Sequence, residues 1–165
     1  MSRSYAVLIA RIRAELDDLD RARARIEKSV PLARIAGDSQ DVYLDSIALN
    51  LHDIYSGYER AFKLIAETVD RDVPEGSGWH RSLLEQMAVG VSELRPAVIS
   101  RTTADSLAEY LGFRHVVRNV YSFRFDPLRL DLLASRLPAV MAACQTDLDR
   151  FCSFLEALDA PTSPA

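Results

Sequence analysis

Between Arg114 and Tyr121 the chain sets Arg114, His115, Arg118, Asn119 and Tyr121 within eight residues. Each residue type brings a different capacity. Guanidinium groups grip phosphate oxygens two at a time and stay charged at any working pH. An imidazole exchanges a proton near neutrality, while an amide and a phenol orient a substrate through hydrogen bonds. At about 100° per helical residue, Arg114, Arg118 and Tyr121 share one stripe, with His115 and Asn119 on the adjacent one. Phe113, Val116, Val117 and Val120 take the rest of the surface, where they can hold the helix against a core. From Arg114 to Arg129 four arginines, Arg124 among them, face only Asp126, a local charge of +3 in an acidic chain. The cluster reads as a phosphate- or RNA-binding surface. A second reading stays open, in which the same arginines pair with acids on neighbouring helices.

The composition narrows what such a surface can serve. A chain of 165 residues is long enough to bury one core, so a single domain over residues 1–160 with a disordered tail at 161–165 is expected. With 48% hydrophobic and 27% charged residues it falls among folded globular chains. The net charge of −4 argues against a general nucleic-acid coat protein, whose binding needs summed positive charge. Any RNA contact must therefore be local. No run of about 18 apolar residues is present, and Met1-Ser-Arg-Ser-Tyr5 lacks a signal-peptide pattern; a cytoplasmic protein without membrane contact is expected. Cys144 and Cys152 lie eight apart in one expected helix, about 12 Å along its axis, too far for a disulfide. His52, His80 and His115 fall in three separate segments, so no zinc spacing arises and neither a metal nor a cofactor is expected.

Helices must position the cluster. The first is expected from residue 4 to about 30, ended by Pro31, with Tyr5, Leu8, Ile12, Leu16, Leu19, Ile26 and Val30 inward. The second spans Ser39 to Val69, where Leu44, Ile47, Leu51, Ile54, Tyr58, Phe62, Ile65 and Val69 recur every three or four residues. Its length makes it a bundle's central member; His52 reads as an edge residue of that helix. A Pro- and Gly-rich loop at 71–78 precedes a short helix from Trp79 to Ala88, anchored by Trp79, and Pro96 breaks the segment after it. Thr102 and Asp105 resemble a capping box that opens the helix bearing Arg114, and Gly112 suggests close packing or a bend. Asp126-Pro127 marks the start of a last helix, divided at Pro138, with Leu128, Leu132, Leu137, Met141, Cys144, Leu148, Phe151, Leu155 and Leu158 inward. With no strand signal, the fold class is all-α: an up-and-down bundle of four to six helices.

The stretch Phe113-Arg-His-Val-Val-Arg-Asn-Val-Tyr121 resembles the HEPN superfamily, and more closely its HepT-like ribonuclease toxins. Leu51 to Glu59 and Gly78 to Ala88 share the likeness, which covers roughly residues 40–155. The family signature is Arg, four residues, His, one residue, Tyr. Arg114 and Tyr121 fill its ends, and Asn119 stands where the His is expected. The resemblance implies a homodimer whose motif helices meet at a composite cleft. It implies RNA cleavage without metal, and a nucleotidyltransferase-fold antitoxin that modifies the motif tyrosine. An Asn amide cannot act as general acid or base, a contribution of about 10² to 10⁴ in rate. His115 is the local replacement, which makes Arg114, His115, Asn119 and Tyr121 the candidate catalytic set, and Arg118 and Arg124 the RNA-binding one. The alternative is a catalytically inactive HEPN-type module that binds a nucleotidyltransferase partner or nucleic acid.

Overall fold

A computed structural model describes residues 5–119 and 124–160, which form five α-helices and no strand. α1 runs Ala6–Ile35 and, after a 3-10 turn at Gly37–Ser39, α2 runs Gln40–Ile65 and closes in a π-helical turn, Ala66–Asp70. α3 is Trp79–Met87, α4 is Arg101–Asn119 and α5 is Pro127–Asp159. The pairs across each interface give the chain directions. Glu15 meets Arg60 and Ser29 meets Ser46, so α1 and α2 run antiparallel. Arg13 with Glu156, and Arg34 with Asp131, set α5 antiparallel to α1. Thr103 with Asp147, and Tyr110 with the Leu133 carbonyl, do the same for α4 and α5.

The uninterrupted apolar period of α2 explains its place. It touches all four other helices, and Ile54, Tyr55, Gly57, Tyr58, Glu59, Ala61 and Phe62 are all buried, so the helix is covered nearly all round. Gly57 allows α1 its close approach: a Cβ there would lie 2.3 Å from Leu19 Cδ2.

Both internal prolines are carried within helices, against the expectation that Pro31 and Pro138 would break them. A proline inside a helix removes one backbone hydrogen bond and costs about 3 kcal/mol. Here the turns beside each are anchored. Gln40 Nε2 donates to the Ala33 carbonyl at 3.0 Å, while Leu137 and Met141 are buried beside Pro138, itself exposed. Asp126 caps α5 as expected, its Oδ1 accepting from Leu128 N at 3.0 Å, with Pro127 first in the helix. The apolar stripe at the start of α5 is shifted, because Leu130 and Leu133 face inward while Leu128 and Leu132 are exposed; Leu158, in the last turn, is exposed too.

α4 opens two residues before the expected cap. Ser100, not Thr102, accepts from the Thr103 amide through its Oγ at 3.1 Å. Buried Asp147 of α5 takes the Ser100 amide at 2.8 Å and the Thr103 hydroxyl at 2.7 Å, tying the start of α4 to α5. Gly112 is exposed, and a Cβ there would have nothing within 4 Å, so close packing is not its role. Between α3 and α4, the buried Arg95 side chain bonds both Asp70 oxygens and the carbonyls of Gln86, Val89 and Pro96. That network fixes an irregular turn where the amides of Val98 and Ile99 return to the Met87 carbonyl.

Candidate active site

Three helices deliver polar side chains to one place against the core. α2 presents Tyr55 and Glu59 one turn apart, the first turn of α3 presents Trp79 and His80, and the last turns of α4 present Arg114 and His115. Glu59 and Arg114 are each only 7% exposed, so their charges need partners within the protein. His80 Nδ1 lies 2.7 Å from Glu59 Oε2. Arg114 Nη1 lies 3.4 Å from His80 Nε2, and Nη2 lies 3.8 Å from Glu59 Oε1.

Donor and acceptor capacity fixes the imidazole between them. A carboxylate only accepts, so Nδ1 carries the proton; a guanidinium only donates, so Nε2 offers its lone pair. His80 Nε2 is thus the ring nitrogen turned toward the Arg114 guanidinium. The Tyr55 phenol is held far above its ordinary range, first by burial and then by the charge of Glu59, with Arg114 opposing. It therefore stays protonated.

The Arg114 guanidinium is incompletely used. Its contact to Glu59 is beyond hydrogen-bond length, that to His80 is long, and its buried Nε has no hydrogen-bond partner among the described residues. Two other arginines show the saturated alternative. Arg60 forks onto both oxygens of Glu15 at 3.0 to 3.2 Å, and Arg95 onto both oxygens of Asp70.

The rim is built from aromatic and basic groups. The His115 ring stands edge-on to that of His80, with centroids 5.9 Å apart. Trp79 stacks on His80 at 3.8 Å, and Lys63 Nζ lies 6.0 Å from the Trp79 ring centre.

The sequence candidates therefore divide. Arg114 lies inward and His115 exposed beside it; Arg118 and Asn119 are exposed at the end of α4, and Arg124 is exposed in the segment before α5. Asn119 Nδ2 donates to the His115 carbonyl at 2.8 Å, so its amide is engaged on its own helix. Arg118 and Arg124 have no ion-pair partner among the described residues. Tyr121 lies outside the described residues. The spacing-based reading missed Glu59 and His80. The available signal was a carboxylate inside the most continuous apolar stretch of α2, between Tyr58 and Phe62, where an acid must have a partner. Among the described residues no group of three or more His, Cys, Asp and Glu side chains gathers as metal ligands, and no helix is long and apolar enough to cross a membrane.

Comparison with known proteins gives one family. The HepT-like protein family matches residues 46–155, from the first turns of α2 to near the end of α5, a stretch that includes Glu59, His80 and Arg114. No curated protein and no solved structure matches the chain.

Proposed function

Since the chain belongs to the HepT-like protein family, we propose that it is the toxin of a bacterial toxin–antitoxin pair, an endoribonuclease that needs no metal and acts at a site around Arg114. The observation that carries this reading is the unsaturated guanidinium of Arg114 3.4 Å from the His80 imidazole, whose ring in turn meets that of His115 at the rim. RNA cleavage without metal requires stabilisation of a developing phosphorane charge and transfer of protons to and from ribose oxygens. Arg114 suits the first task, and imidazole chemistry suits the second. Arg118, exposed at the end of α4, and Arg124, exposed before α5, serve to hold the flanking phosphates, with Asn119 and Tyr121 at the ribose. Antitoxin partnership follows from the family in general terms, and a nucleotidyltransferase-fold protein is the partner proposed. The motif helices of two copies would enclose the substrate between them.

Incubating the purified chain with RNA in excess chelator tests the activity, with new 5′-hydroxyl ends as the readout. A preparation inert toward a broad set of RNAs would reject it. The second reading, a module that binds a nucleotidyltransferase partner or nucleic acid without cleaving, is favoured by the engagement of Asn119 on its own helix and the low exposure of Arg114. Tight RNA binding with no cleavage would select it.

A further inference from the structure

We propose that His80 is the proton-accepting imidazole of this site and that Glu59 is its positioning residue, an assignment that rests on the ribonuclease reading. The family spacing puts Asn119 where a proton-transfer group belongs, and the Asn119 amide is turned onto the His115 carbonyl. His80 reaches Arg114 from another helix, 34 residues away in sequence. Its orientation is fixed on both sides. Glu59 holds Nδ1–H at 2.7 Å, and the Trp79 ring covers one face at 3.8 Å. A carboxylate behind Nδ1 holds the tautomer in which Nε2 is basic and stabilises the imidazolium that forms once Nε2 takes a proton.

The reaction balances with the groups present. The ribose 2′-oxygen bonds to phosphorus and its proton passes to His80 Nε2. The bond from phosphorus to the 5′-oxygen breaks, and that oxygen takes a proton from the His115 imidazolium. The products are a 2′,3′-cyclic phosphate and a 5′-hydroxyl. Arg114 exchanges its long contact with Nε2 for the non-bridging phosphate oxygens. The charged or titratable groups facing His80 are Glu59 from α2 and Arg114 and His115 from α4, with Tyr55 acting on Glu59 and Arg114 and Lys63 beyond Trp79.

The chain's three histidines make a direct test. His80→Gln should lower the cleavage rate in chelator by about 10²-fold or more. His52→Asn, outside the cluster, should leave it unchanged. Added imidazole should raise the rate of His80→Ala, and Glu59→Gln should lower kcat more than it raises KM. Independently of cleavage, inorganic phosphate should shift the NMR signals of His80 and His115 saturably in the wild type, and not in Arg114→Ala. A wild type that cleaves RNA while His80→Gln keeps its full rate overturns the assignment and leaves the ribonuclease reading standing. A wild type inert toward RNA removes that reading. It removes the proton-accepting role with it, and His80 signals unmoved by phosphate in a wild type that cleaves RNA would likewise overturn the assignment.

Discussion

An arginine that is saturated by a carboxylate has little left to offer a ligand, and this chain shows both kinds. Arg60 and Arg95 have their forks filled by Glu15 and Asp70, whereas among the described residues Arg114 holds only a 3.4 Å contact to an imidazole and a 3.8 Å approach to an acid. Arg114→Ala is therefore expected to lower RNA cleavage by about 10² to 10³, the usual loss when one donor to a developing charge is removed. Arg129→Ala should lower it far less, because Arg129 stands 5.7 Å over the Phe113 ring as an exposed cation. Equal rates for the two variants in the same assay would refute the site. The cysteines make a separate residue-scale case. Burial pushes the Cys144 thiol up to about 12, opposed by a hydrogen bond with Tyr58 and assisted by the charge of Asp147. Burial raises Cys152 as well. A raised thiol pKa means less thiolate: near pH 8 roughly 10⁻⁴ of Cys144 is in the reactive form. Iodoacetamide at pH 8 should leave both cysteines unlabelled by mass spectrometry until denaturant is added. Rapid labelling of Cys144 in the native protein would contradict its placement.

Among the elements, α2 and its contact with α1 set the geometry for everything else, and Gly57 is the narrowest point of that contact. A methyl group at Gly57 would meet Leu19 Cδ2 at 2.3 Å and Cγ at 3.2 Å, so Leu19 must leave its rotamer or the helices must part. Gly57→Ala gains helix propensity but overpacks, for an expected net loss of about 1 to 2 kcal/mol in urea unfolding. The loss should shrink when Leu19→Ala is added, since the smaller side chain vacates the space. Independent, additive effects would show that the clash is not the cause. This helix was also the most legible in the sequence, because eight apolar residues from Leu44 to Val69 recur without a miss and only a helix places them together. Helix ends were less legible. Pro31 and Pro138 read as breaks because a local rule sees the lost hydrogen bond but not the buried Ala33, Leu137 and Met141 that anchor those turns. Arg114 and His115 were legible for the same reason as α2, being close in sequence on one helix. Glu59 and His80 were not, since their contacts cross 21 and 34 residues and come into being only when α3 docks on α2 and α4.

At the scale of the whole molecule, the described residues of one protomer supply a deep guanidinium, two imidazoles and a basic rim. His115, Arg118 and Asn119 end α4 on an exposed face, with exposed Gly112 one turn earlier. In the proposed ribonuclease, a second α4 brought against the first would double the positive charge around the substrate. Large apolar side chains are exposed as well, among them Leu128 at 81% and Ile35 at 80%, which a lone protomer leaves in water. A homodimer is accordingly expected, with a mass by light scattering twice the 18.4 kDa of one chain. Because the rim is basic, substrate affinity should fall as salt rises. If a second α4 completes the site with its Arg118, an equal mixture of Arg114→Ala and Arg118→Ala protomers should recover part of the activity that each homodimer lacks, since one of the two clefts then holds both native groups. A mass of 18.4 kDa at every concentration would refute the dimer. A dimer with no recovery in the mixture would confine each site to one protomer.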